Sequence, residues 1–145
     1  MARRLNILLI NHYAGTPSLG MEYRPYYLAR EWVRAGHRVT VVAANFSHVR
    51  THQPQAGEDE VDGITYHWLP TPGYQSNGLG RVRNIWLFLR QVWQRTPALV
   101  AACQPDVVIA SSTYPMDFWV ARRLARLAGA RLVYEVHDLW PASPM

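Results

Sequence analysis

Three stretches of this chain carry side chains that could do chemistry, and each follows directly on a short apolar run. The first is residues 11–20, NHYAGTPSLG, where His12 precedes two glycines, Gly15 and Gly20, that enclose four residues including Thr16. This is the glycine spacing of a phosphate-cradling loop. Such a loop, however, continues with Lys and Ser or Thr to hold phosphate and magnesium, and here Met21 and Glu22 follow. Nucleoside triphosphate hydrolysis is excluded on that ground. What remains is a loop whose backbone can approach a bulky polar ligand beside the free N–H groups of a helix start. Glu22 reads either as a ligand contact or as a first-turn acid that suits the helix dipole; Arg24 could pair with a phosphate or with Glu22. The second stretch, Ser111-Ser112-Thr113, offers hydroxyls suited to sugar or phosphate, and the same residues are good turn formers. In the third, His137-Asp138 stands at a strand end, where a His either points into a crevice or caps the loop.

Several chemistries are missing. There is no GxGxxG dinucleotide fingerprint, no GxSxG elbow and no HExxH zinc motif. A receiver domain needs an Asp ending the third strand, where Trp68-Leu69-Pro70 stands. Cys103 is the only cysteine, so neither an internal disulfide nor a CxxC knuckle can form. The acids Glu58, Asp59, Glu60 and Asp62 read as a solvated loop, and no metal site is expected.

The elements that must position these residues follow from periodicity. Residues 5–10 read as a strand buried on both faces. Tyr23, Tyr27, Leu28, Trp32 and Val33 then recur at helical spacing until Gly36. Residues 38–44 predict a second buried strand, and residues 63–69 a third, at an edge. A helix is predicted over 79–103, with Leu79, Val82, Ile85, Trp86, Leu89, Val92 and Trp93 on one face. Strands over 105–110 and 131–136 flank a helix over 116–129, with Val120, Ala121, Leu124, Leu127 and Ala128 inward. Right-handed crossovers give a Rossmann-like, doubly wound α/β domain with parallel strand order 3-2-1-4-5. The crevice then opens where the loops after strands 1 and 4 diverge, which brings His12, the glycine loop and Ser111 to one mouth.

At 145 residues the chain is expected to be one domain, burying about two-thirds of its unfolded surface. Its formal charge is +5, all fifteen basic residues are Arg, and residues 63–105 hold no acid. Within that acid-free span, Arg81, Arg83 and Arg90 border Trp86 on the predicted long helix. Two readings stand for it: a core helix whose extra apolar residues meet a neighbouring domain, or an amphipathic helix that touches an anionic membrane. No stretch is long enough to span a bilayer, and the first apolar run is too short for a signal peptide. A cytoplasmic protein is expected, peripheral on the inner face of the plasma membrane if the second reading holds. Basic charge without a recognised motif gives no case for nucleic acid.

Taken together, Asn11-His12-Tyr13, Gly20-Met21-Glu22-Tyr23-Arg24-Pro25-Tyr26-Tyr27-Leu28-Ala29, Gly36-His37-Arg38-Val39-Thr40-Val41-Val42, Asp106-Val107-Val108-Ile109-Ala110-Ser111 and Tyr134-Glu135-Val136-His137-Asp138-Leu139-Trp140-Pro141 resemble one family. It is the N-terminal domain of family 4 glycosyltransferases with the two-domain GT-B fold, most of all bacterial members that build surface polysaccharide, fucosamine-type transferases included. The resemblance spans nearly the whole chain. It implies transfer of a hexosyl or N-acetylhexosaminyl unit, with retention, from a nucleoside-diphosphate sugar to a glycan or lipid-linked acceptor. The nucleotide sugar is then a substrate, and no cofactor is expected. By resemblance, the loop holding Gly15, Thr16 and Gly20 faces the donor diphosphate and the acceptor, while His137 reaches the donor sugar as the candidate catalytic residue. His12, Glu22, Arg24, Ser111 and Asp138 are substrate-binding candidates by position alone. The family's nucleotide-binding second domain has no counterpart within residues 1–145, so the chain is expected to be an acceptor-side fragment without turnover of its own. A GT-B sugar-nucleotide epimerase and a non-catalytic membrane- or partner-binding module are the alternatives.

Overall fold

The computed structural model describes residues 3–20, 23–46, 52–73, 78–112 and 114–136. The strands are β1 (Asn6–Ile10), β2 (Arg38–Ala44), β3 (Gly57–Val61), β4 (Ile64–Leu69), β5 (Val107–Ala110) and β6 (Arg131–Tyr134). The helices are α1 (Tyr23–Arg34), α2 (Leu79–Cys103) and α3 (Asp117–Ala128). All six strands join one sheet in the order β3-β4-β2-β1-β5-β6, parallel throughout except for β3. The five parallel strands stand in the predicted order. The chain is a mixed α/β, Rossmann-like half domain.

Alternation along the central strands explains the layering, because successive side chains point to opposite faces. On one face Ile7, Leu9, Val39, Val41, Ile64 and Tyr66 pack with Tyr26 and Ala29 of α1. On the other, Leu8, Ile10, Val42 and Val108 pack with Phe88 and Val92 of α2 and with Val120 and Leu124 of α3. Helices cover both faces, so β1 and β2 read as continuous apolar runs.

Three expectations change. Residues 57–61, read as a solvated acidic loop, form the antiparallel edge strand β3. As a result β4 is not an edge strand but the second from the edge. The link is a two-residue turn, Asp62-Gly63, with Val61 paired to Ile64 and φ of 51° and 82° at the turn residues. Positive φ at both central positions is the turn whose twist suits a hairpin, and Asp-Gly is its preferred sequence. The Tyr26 hydroxyl donates to the Asp62 carboxylate and pins this turn to α1; that bond pushes the Tyr26 hydroxyl above its ordinary pKa.

The second change is the phase of α2. Its buried face is Asn84, Phe88, Val92, Thr96, Leu99 and Cys103, while Leu79, Val82, Trp86 and Trp93 from the predicted stripe are exposed. Polar members hide the true stripe in the sequence. Asn84 Nδ2 donates to the Pro72 carbonyl at 2.7 Å, and Thr96 Oγ1 donates to the Val92 carbonyl at 2.9 Å, so both are buried with partners. The third change is smaller: in α3, Leu127 is exposed and Ala125 takes an inward place.

Candidate functional site

Every parallel strand ends at the same edge of the sheet, so the loops after β1, β5 and β6 share one rim. The loop after β1 is fastened there by its own polar groups. Asn11 Nδ2 donates to the Ser111 carbonyl at 2.9 Å, and Asn11 Oδ1 accepts from the Tyr13 N–H at 3.0 Å. The His12 N–H donates to Ser112 Oγ at 3.0 Å, and His12 Nδ1 lies 2.8 Å from the Tyr114 hydroxyl. The Ser112 N–H in turn donates to Asp117 Oδ2 at 2.8 Å, at the start of α3. The β1 and β5 loops are thus tied together by a buried network. His12 and Ser111 belong to it and are sealed under the rim rather than presented to solvent.

The glycine loop sits beside this network. Gly15 is buried, and its carbonyl accepts from the Tyr66 hydroxyl at 3.2 Å. Thr16 is buried as well, with Oγ1 3.0 Å from Ser18 Oγ, and its carbonyl accepts from the Leu19 N–H. Gly20 has φ of 89°, a conformation that glycine alone adopts without strain.

Thr16, Ser18 and Leu19 form one wall of a cleft of about 450 Å³; Trp68 and Glu58, Asp59 and Val61 of β3 help to form the others. This cleft was not anticipated, because its acids were read as loop residues. The Asp62-Gly63 dipeptide ahead of an alternating strand was the available signal. Its chemistry is hydroxyls, an indole and two carboxylates with no arginine, which suits a polyhydroxylated ligand and repels a phosphate. His67, across from Glu58 on the neighbouring strand, has its pKa lowered from the ordinary 6.5 chiefly by burial, with the Glu58 carboxylate acting the other way. Among the described residues no group of three His, Cys, Asp or Glu side chains could hold a metal ion.

Arg24 has a partner that was not among those considered for it. Its Nε donates to Glu135 Oε1 at 2.8 Å, joining the start of α1 to the residue that follows β6. The backbone of Glu135 continues the ladder by donating to the Ala110 carbonyl at 2.9 Å. Glu22, His137 and Asp138 lie outside the described residues.

The four residues expected to face a membrane divide. Arg81 turns to the rim, where its Nε donates to the Tyr13 hydroxyl at 3.2 Å and its guanidinium lies 5.6 Å from that ring's centre. Arg83, Trp86 and Arg90 are exposed on α2. No helix among the described residues is long and apolar enough to cross a membrane.

Comparison with known proteins agrees with this architecture. The family model described as a glycosyl transferase 4-like domain matches residues 20–145. No curated protein matches the sequence. Two crystal structures of the C-terminal domain of a hydrogenase from Pyrococcus furiosus have a similar fold. One, of residues 78–226 of that protein, has a TM-score of 0.55 at 15% identity, covering 90% of this chain and 89% of the other. The second, of its residues 83–215, has a TM-score of 0.57 at 15% identity, covering 93% and 96%. At that identity the likeness is one of fold alone.

Proposed function

The chain belongs to the glycosyl transferase 4-like domain family, and on that premise we propose that it is the acceptor-side half of a retaining glycosyltransferase. In this reading a hexosyl or N-acetylhexosaminyl unit passes from a nucleoside-diphosphate sugar to a lipid-linked glycan of a surface polysaccharide, at the inner face of the plasma membrane. The observation that carries it is the cleft between residues 16–19 and β3, at the rim where an open parallel sheet binds its ligands. Its hydroxyls and carboxylates match the hydroxyls of an acceptor sugar. The Arg24 guanidinium at the mouth of the same rim has the charge to meet a departing diphosphate once Glu135 releases it.

The chemistry needs charge stabilisation more than a nucleophile. The sugar passes through an oxocarbenium-like state while the diphosphate leaves with growing negative charge. By the resemblance His137 would reach the donor sugar, and Glu22 and Asp138 are substrate-binding candidates by their place in the sequence. The nucleotide-binding half is assigned to a further domain, so no transfer is expected from these residues alone.

Two measurements test the reading. Amide chemical shifts of the protein are followed as an oligosaccharide acceptor is added; perturbations grouped at residues 16–20 and 56–61 are expected, and perturbations confined to other surfaces would overturn it. Incubation with a panel of nucleotide sugars and lipid-linked acceptors should give no product, and sugar transfer by the 145 residues would remove the need for a donor domain elsewhere.

A further inference from the structure

A second cavity lies on the face of the sheet covered by α2 and α3. It is a groove of about 690 Å³ between the two helices. Both helices start at the rim and run away from it, because each carries the chain back to begin a parallel strand. The groove lining extends from Val82 to Trp93 along α2, a length of about 16 Å at the α-helical rise.

The polarity of the groove runs lengthwise. Its rim half is lined by Val82, Ile85, Trp86, Met116 and Trp119, with no charged side chain. Its far half holds Arg90, Arg122, Arg123 and Arg126 around Trp93. None of these four arginines forms an ion pair among the described residues. Asp117 is the only acid on either helix, and it is buried against Ser112. Arg123 stacks 4.5 Å from the centre of the Trp93 ring, and its buried Nε has no hydrogen-bond partner among the described residues.

We propose that this groove binds one anionic lipid drawn from a membrane leaflet, its hydrocarbon chain lying toward the rim and its phosphate among Arg90, Arg123 and Arg126. Lengthwise polarity decides the occupant. A partner helix seated in a groove is apolar on its inner face and charged along both flanks, so it asks for charge along the whole length. A lipid is apolar at one end and anionic at the other, as this groove demands in reverse. Tryptophans partly exposed beside arginines suit the boundary between hydrocarbon and headgroups. The head lies away from the rim, so the bound lipid holds the protein to the leaflet and is not the acceptor. The inference rests on the peripheral-membrane part of the function proposed above and is independent of sugar transfer.

The test uses tryptophan fluorescence of the whole chain. Dodecyl phosphate below its micellar concentration should shift the emission saturably at one per protein, while dodecyl maltoside binds at least about tenfold more weakly and inorganic phosphate leaves the signal unchanged. Reversing both charges in R90E/R123E should weaken dodecyl phosphate by about tenfold or more. R126E, at an exposed position, should act in the same direction if the double variant does not fold. In phosphatidylglycerol vesicles, bromine near the chain end should quench a variant retaining Trp119 but not Trp93 more than bromine near the head does. The order should reverse for a variant retaining Trp93 but neither Trp86 nor Trp119.

Binding to the vesicles without any dependence on bromine position would overturn the groove and leave membrane docking standing. Absence of vesicle binding would remove both. Tighter binding of an acidic amphipathic peptide than of dodecyl phosphate, or a lipid-free dimer that shields Trp119 from iodide, would also overturn the proposal.

Discussion

The rim and the α2–α3 groove treat polar atoms in opposite ways. At the rim, Asn11, His12, Ser112 and Asp117 are buried, and their hydrogen bonds run to each other and to the backbone of Ser111 and Tyr13. In the groove, four arginines stand among apolar side chains with no ion pair among the described residues. Hydrogen bonds among buried groups are strengthened by the low dielectric around them, so the rim network stiffens the sheet edge. In the groove only the Arg123 Nε is both buried and without a hydrogen-bond partner among the described residues. Its exposed Trp86, Trp119 and Arg126 contribute little to folding, and the lipid proposed above would account for their placement. The difference separates a region shaped by stability from one shaped by contact, and substitutions can be chosen to test that division.

The sharpest pair lies on a single helix. Phe88 and Trp86 are two residues apart, yet Phe88 is fully buried against the sheet and Trp86 is 63% exposed along the groove. Phe88→Ala should destabilise the protein by about 3–5 kcal/mol through the lost burial and the cavity left behind. Trp86→Ala should stay within about 0.5 kcal/mol. Urea unfolding of both variants checks this. Equal losses would mean that the groove belongs to the folding core, and the comparison would fail.

The next effect tests whether the rim network is structural. Asn11→Ala removes the donor to the Ser111 carbonyl and the acceptor of the Tyr13 N–H. It should cost about 1–3 kcal/mol, since buried partners are left unsatisfied. Hydrogen exchange should show the loss as faster exchange at Tyr13 and at Ser112. A neutral outcome would mean that water replaces the side chain and that the rim is looser than its bonding pattern indicates.

How much of this was legible depends on which interactions decide each element. The five parallel strands and their order follow from local apolar runs and from the handedness of crossovers, both written in the sequence. The phase of α2 was not, because Asn84 and Thr96 occupy core positions and are reconciled to burial by the Pro72 and Val92 carbonyls, partners that a hydropathy pattern does not reveal. Strand β3 was hidden for a similar reason. Glu58, Asp59 and Glu60 have weak strand preference, and pairing with β4 overrides it. Only the Asp62-Gly63 turn announced the hairpin. The partner of Arg24 was illegible, because Glu135 is 111 residues away in sequence and the two meet only once β6 is in place.

A smaller effect concerns that ion pair. Arg24 is more than half exposed, so a double-mutant cycle over Arg24→Ala and Glu135→Ala should return a coupling of only about 0.2–1 kcal/mol, falling with added salt. A coupling several times larger would place the pair with the buried rim network. It would also weaken the proposal that Glu135 can yield Arg24 to a diphosphate.

The smallest expected effect lies at the far edge of the sheet and appears only as a function of pH. Burial lowers the His67 pKa below its ordinary value of 6.5, so the unfolded chain takes up this proton more readily than the folded one. Stability from neutral His67 is therefore complete above about pH 6.5 and declines as the pH falls from there toward the lower folded-state value. His67→Phe should flatten that part of the stability profile relative to the parent, and the difference between the two curves isolates this residue from the other histidines. Glu58 favours the protonated ring, so Glu58→Gln should lower the folded-state pKa further and extend the decline to lower pH. If Glu58→Gln instead makes the decline shallower, then Glu58 does not act on His67 through charge, and β3 does not hold it against β4 as the register describes.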